Sequence, residues 1–226
     1  MMESMHARRR YAVALTGVAV YVILDAVAQL LPPHYSPISQ AESDLAVGPY
    51  GYIMAINFLN RGFLSLEFLF ALVGTVRLTG GAVSEYRRGF TLLGIWSMGA
   101  FLLALFPTDV PATPVSWHGA IHLVVAVIAF LAGVFGVLAI SIRMGGNRTL
   151  ADLRRFALPI AALAVVFCLL ELLAPFFSPH LAARFGGLFE RMFLGGMLVW
   201  IASISVYMLR HEPKPAPPSA IPTAVS

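Results

Sequence analysis

Six apolar stretches run through this chain, each long enough to cross the hydrocarbon core of a bilayer. Together they leave little sequence for anything else. A transmembrane helix needs about 20 residues, and the stretches fall at about 11–31, 52–77, 88–106, 117–142, 156–175 and 184–209. The fold class that follows is all-α, a polytopic transmembrane bundle of six helices forming one domain over 11–209. Only 12% of the residues are charged, against roughly 25% in a soluble domain, and the mean hydropathy is +0.82. Two short flanks remain. Residues 1–10 form a basic arm, and 210–226 form a proline-rich tail expected to be disordered.

Charge orders the stretches across the membrane. Arg8–Arg10, Arg77, Arg87, Arg88, Arg143, Arg148, Arg154, Arg155, Arg210 and Lys214 all fall on one side of a chain that crosses six times. The other side holds Arg184 alone, and Arg61 and Arg191 lie inside spans. Basic residues stay on the cytoplasmic side. Both termini are therefore expected in the cytoplasm of a multi-pass protein of the cell membrane. The net charge of +4 is thus a matter of topology, and no nucleic-acid partner is expected; the expected partners are membrane lipids. A cleaved signal peptide is the rival reading of the first span, with Ala26-Val27-Ala28 as a small-residue site. Asp25 beside that site, and apolar sequence running on to Leu31, argue against it.

The longest loop, at about 32–51, has no Lys or Arg and is rich in turn formers, including Pro33, Pro37, Gly48 and Pro49. Loops of that length without clear elements are often functional. The second outer loop starts at Pro107 and is stiffened by prolines, and the third carries Ser178-Pro179-His180. Asn147-Arg148-Thr149 matches a glycosylation sequon but falls on the cytoplasmic side. Cys168 stands alone in the fifth span, where a buried thiol is inert.

Ionisable residues inside spans are costly and mark function by default. Here they are Asp25, Glu67, Glu171, Glu190, Arg61, Arg191, His118 and His122, with Asn57 and Asn60 as polar neighbours. At 1.5 Å per residue, Asp25 and Glu190 lie about 9 Å below the outer ends of their spans, Asn57 and His122 about 8 Å, Glu171 about 6 Å and Arg61 about 14 Å. Helices running in opposite directions place these groups at one level, and Glu67 alone lies deeper. The pattern predicts a polar cavity opening to the outer face. His118 and His122 share a helical face with Ala126, Ala129, Gly133 and Gly136, which points both histidines into the bundle. Asn57, Asn60, Arg61, Leu64 and Glu67 make a second stripe. Four acids (Asp25, Glu67, Glu171, Glu190) face two arginines, so a proton, an imidazolium or a metal ion must close the gap.

Each group also has an ordinary reading. The arginines pin helices by pairing with Glu67, Glu190 or Asp25, and Glu171 reaches the interface. Asp109 forms a turn after Pro107, Asp44 caps a helix, and His34 and His180 are loop histidines.

Tyr35-Ser36-Pro37-Ile38-Ser39-Gln40, Ser43-Asp44-Leu45 and Gly48-Pro49 resemble the hallmark of the family known as domain of unknown function 998. The resemblance continues through Phe106-Pro107-Thr108-Asp109, His118, His122 and Glu190-Arg191, and covers most of 11–209. It implies a prokaryotic membrane protein of about six helices, and it implies no activity.

Two function classes stay open, and no catalytic residue is assigned. One is a metal-dependent hydrolase acting on a lipid-borne substrate, with His118, His122 and Asp109 as a tentative Zn²⁺ set and Asp44 or His180 as a further ligand. The acidic residue of HExxH is missing, because Gly119 stands there. The other is a non-enzymatic protein, a transporter or sensor binding a small polar solute or lipid headgroup, with Asp25, Asp44, Asn57, Asn60, Arg61, Glu67, Asp109, Glu171, Glu190 and Arg191 as cavity candidates. Haem ligation between helices is disfavoured, since only the fourth span carries histidines.

Overall fold

The computed structural model describes residues 2–32, 35–110, 113–147 and 149–211. The readings of His34, of the sequon at Arg148 and of the tail from Glu212 lie outside the described residues. The described chain forms six long helices: α1 (Met2–Leu30), α2 (Gly51–Leu78), α3 (Val83–Leu105), α4 (Trp117–Arg143), α5 (Ala151–Phe177) and α6 (Pro179–Arg210). Short 3₁₀ turns lie at Glu42–Ala46 and Met144–Gly146. All six helices are long and apolar enough to cross a membrane.

The helices run past the apolar stretches at both ends of the chain. Helix α1 starts at Met2, so Arg8–Arg10 ride on a helix instead of forming a separate arm. Helix α6 starts at Pro179, which leaves Ser178 as the whole α5–α6 connection. Proline at the first helical position costs nothing, because its missing N–H has no partner there in any helix.

Each helix packs on the next, and α1 packs on α6 to close a ring, with further contacts from α6 to α2 and α4. One end of the ring carries the termini, joined where Arg8 Nη2 donates to the Leu209 carbonyl at 3.1 Å. The other end, called the loop end below, carries the long α1–α2 connection. Seams between helices are small-residue strips with a few polar ties. On α4, Ala126, Ala129, Gly133 and Gly136 are all buried, so the row read from the sequence does face the bundle.

The ties are short and local. Trp96 Nε1 donates to Ser65 Oγ at 3.2 Å and Trp200 Nε1 to Ser141 Oγ at 2.9 Å. Tyr11 and Thr75 share a 3.0 Å hydroxyl contact. Asn147 is buried, and its Nδ2 is committed to Thr79 Oγ1 at 2.8 Å. Interhelical hydrogen bonds of this kind contribute roughly 0.6 kcal/mol each.

Ser141→Ala removes the acceptor for an indole N–H that is fully buried on Trp200. The expected cost is about 1 kcal/mol. It is read as a lower thermal midpoint in detergent than wild type, with helix content unchanged.

Candidate functional site

The α1–α2 connection folds back onto the bundle and docks along one strip of α6. Within the loop, Gln40 N donates to the Ser36 carbonyl at 2.9 Å and Tyr35 Oη to the Ala41 carbonyl at 2.9 Å. Leu188 N of α6 donates to the Ile38 carbonyl at 2.8 Å. Beside it, Arg191 Nη1 donates to the carbonyls of Pro37, Gln40 and Gly187 at 3.0, 3.0 and 3.1 Å, and its Nη2 donates to Tyr35 Oη. Gly187 permits this approach: a Cβ there would lie 2.1 Å from the Gln40 carbonyl oxygen.

Docking carries Glu42, at the start of the 3₁₀ turn, into the mouth of the ring, where it is 2% exposed. Tyr21 Oη of α1 donates to Glu42 Oε1, and the Glu42 N–H donates to Glu190 Oε2 of α6 at 2.7 Å. Asp25 faces the same carboxyl, with its Oδ2 taken by Gln29 and its Oδ1 unpaired. Asn57 Nδ2 donates to the Tyr21 carbonyl at 3.2 Å, tying α2 to this point. Burial, with Asp25 and Glu190 as like-charged neighbours, pushes the Glu42 carboxyl up to about 8.

Next to the cluster is a cavity of about 250 Å³ lined by Ser43, Asp44, Arg61, Thr108, His122, Glu171 and Glu190 on its polar side, and by Phe58, Leu103, Leu123, Ala126, Val127, Phe130 and Leu172 on its apolar side. Arg61 is 2% exposed, and its Nε and Nη2 have no hydrogen-bond partner. Its guanidinium lies over Trp96 at 4.6 Å and Phe58 at 5.1 Å. Glu171 Oε2 is likewise buried and unpaired. Burial also raises the Asp44 carboxyl.

The histidines separate. His122 is buried, and its Nδ1 meets the Phe106 carbonyl oxygen at 2.7 Å. That contact makes Nδ1 a protonated nitrogen, and in the neutral ring Nε2 is then an acceptor. His118 does not point into the bundle: its side chain is 38% exposed, with Nδ1 3.3 Å from the Pro107 carbonyl and 3.8 Å from Asp109 Oδ1.

Asp109 organises the start of α4. Its Oδ2 accepts from Ser116 N at 2.9 Å and its Oδ1 from the Ser116 hydroxyl, while Ser116 Oγ accepts from Gly119 N at 3.1 Å. These donors hold the Asp109 carboxyl below its ordinary value. Gly119, read above as the gap in an HExxH pattern, is where Asp109 sits: a Cβ there would lie 1.8 Å from Asp109 Oδ2. Among the described residues no three His, Cys, Asp or Glu side chains are grouped to hold a metal ion, so His118, His122 and Asp109 do not assemble the tentative zinc set.

Two further candidates leave the cluster. Glu67 pairs with Arg10 at 3.5 Å, toward the terminal end, and not with Arg61. Asn60 Nδ2 donates to the Gly17 carbonyl at 2.9 Å as a helix tie. His180 is exposed in the first turn of α6. Glu42 and Tyr21 join the site without having been singled out, and Tyr35, read above only as part of the loop hallmark, joins it through Arg191. The available signal was a long loop with acids and no bases, beside spans already rich in acid.

Fold and site define a multi-pass membrane protein with a buried charge cluster at one end of a six-helix ring. The family described as "Protein of unknown function (DUF998)" matches residues 15–207, a stretch holding every member of the cluster, and the chain belongs to that family. No curated protein and no solved structure matches it.

The raised Glu42 carboxyl sets a pH dependence. The unfolded carboxyl ionises near 4.5 and the folded one near 8, so between those values folding takes up a proton and stability falls as pH rises. The expected slope is up to about 1.4 kcal/mol per pH unit in that window. Thermal midpoints in detergent from pH 5 to 8 should fall for wild type and stay flatter for Glu42→Gln.

Proposed function

We propose that this protein lies in the cytoplasmic membrane with both termini in the cytoplasm, and that its loop end binds the polar headgroup of a lipid-like amphiphile from the outer leaflet. The orientation rests on the distribution of arginines, which favours the terminal end for the cytoplasm. It is tested in a Cys168→Ala background. Val115→Cys, exposed at the loop end, should react with an impermeant maleimide in intact cells, and His211→Cys only after lysis. The reverse pattern would invert the assignment.

The binding reading is carried by one observation: Arg61 is buried at the wall of a cavity with two of its nitrogens unpartnered. A buried guanidinium lacking partners favours a phosphate or carboxylate, for which its planar donors are suited. Nearby acids, Asp44, Glu171 and Glu190, suit an ammonium group or a shared proton. The remaining wall is apolar and reaches Leu123, which is 62% exposed on the membrane-facing surface of α4. At about 250 Å³ the space suits a headgroup, with the hydrocarbon left outside among lipid tails.

A second reading is a metal-dependent hydrolase of such a molecule. The His122 Nε2 acceptor on the cavity wall favours it; the unassembled ligand set does not. Amphiphiles extracted from detergent-purified protein and identified by mass spectrometry separate the readings. A bound headgroup lipid in wild type, reduced about tenfold or more in Arg61→Met, supports binding. Equal recovery from both proteins overturns it, and conversion of the lipid to a cleaved product with stoichiometric metal favours the hydrolase.

A further inference from the structure

The terminal end of the ring carries a second cavity, of opposite character and independent of the one at the loop end. We propose that it binds one acidic phospholipid of the cytoplasmic leaflet. It is a groove of about 490 Å³ between α1, α2 and the start of α3. Its floor is apolar, made by Leu69, Phe70, Val73 and Phe90; Arg77 and His6 lie toward its terminal end, and Arg10 lines it at the depth of Phe70. A smaller adjoining space of about 270 Å³ shares His6 and Arg10 and adds Arg9.

The order of these groups along α2 matches the order of parts in a phospholipid. Arg77 is in the last turn, and Leu69 lies about 12 Å deeper along the helix axis. A phosphate held at the rim would therefore place its glycerol and first methylenes along Val73, Phe70 and Leu69. Gly74 makes the room, since a Cβ there would meet only Ala7 Cβ, at 4.0 Å.

Charge selects the class of lipid. Among the described residues Glu67, about 15 Å deeper than Arg77 along α2, is the one acid lining the groove and its adjoining space, and it pairs with Arg10, whose guanidinium also lies 5.0 Å over the Phe70 ring. No carboxylate pairs with Arg9 or Arg77 among the described residues, and both are exposed at headgroup level. Basic pockets between transmembrane helices on the cytoplasmic side are where anionic headgroups collect. A zwitterionic lipid would leave this excess of positive charge unanswered.

The test uses the full chain purified in a mild detergent, probed with phosphatidylglycerol or phosphatidylcholine of the same acyl chains, with bound lipid counted by native mass spectrometry. Wild type should retain phosphatidylglycerol in preference to phosphatidylcholine. Arg77→Gln should weaken that retention about fivefold. Gly74→Phe, which fills the groove and leaves charge unchanged, should weaken it at least as much. Arg155→Gln, an exposed arginine of α5 outside the groove, should leave it unchanged. Equal retention of the two lipids overturns the proposal. So does a Gly74→Phe protein, folded by circular dichroism, that retains phosphatidylglycerol like wild type. An Arg155→Gln loss as large as that of Arg77→Gln would mean diffuse surface charge and would also overturn it.

Discussion

The loop end depends on one guanidinium. A connection that folds back into the mouth of a helical ring takes backbone carbonyls out of water, and each one left unpaired there costs as much as a lost hydrogen bond. Arg191 gathers the carbonyls of Pro37, Gln40 and Gly187 on a single nitrogen, and the bare backbone of Gly187 lets the chain come close enough for it to do so. Seating the loop delivers Glu42 to Tyr21 and Glu190. The meeting of Glu42 with Glu190 and the loop side of the cavity wall, Ser43 and Asp44, follow from that docking. The Tyr35–Gln40 run and the Glu190-Arg191 pair, far apart in the chain, are two halves of one contact.

Charge balance is the second constraint. Asp25, Glu42, Asp44, Glu171 and Glu190 gather near Arg61 and Arg191, five acids against two bases. Part of the gap closes with a proton, because the Glu42 carboxyl ionises only near pH 8. Arg61 still keeps two nitrogens free although acids lie close by. Its guanidinium is held against the Trp96 and Phe58 rings, which restrict its swing toward the nearest carboxylate. A cation held in place by aromatic rings, with donors to spare, is preorganised for an anion.

The six spans were legible in the sequence because hydropathy and length alone decide them; the closure of α1 on α6 into a ring was not. The common depth of Asp25, Asn57, Arg61, His122, Glu171 and Glu190 was legible too, since helical rise converts position into depth without any knowledge of packing. What sequence could not give was rotation and loop path. Glu67 lay on the same stripe as Arg61, yet it faces α1 and Arg10. His118 and His122 shared a helical face, yet a single turn separates a buried imidazole from a half-exposed one in the first turn of α4. Asp109 carried the look of a metal ligand, and its hydrogen bonds are those of a capping group. Glu42 was invisible because nothing local marks a loop that turns inward. The decisive contacts come from α1 and α6, distant in sequence.

The two ends of the molecule divide their charge in opposite ways, and for different physical reasons. At the loop end acids are in excess, they are buried, and their surplus is held by protons and by a short network of hydrogen bonds. At the terminal end bases are in excess, they are exposed, and their surplus is left to the surroundings. Burial makes the first arrangement sensitive to pH, because removing a proton leaves an unpaired charge in a low-dielectric site. Exposure leaves the second open to screening by salt, because the counter-charge is supplied from outside. The sign of the charge sorts the termini by topology. The degree of burial decides which end keeps donors and acceptors unpaired: Arg61 and Glu171, both holding unpaired atoms out of solvent, lie at the loop end.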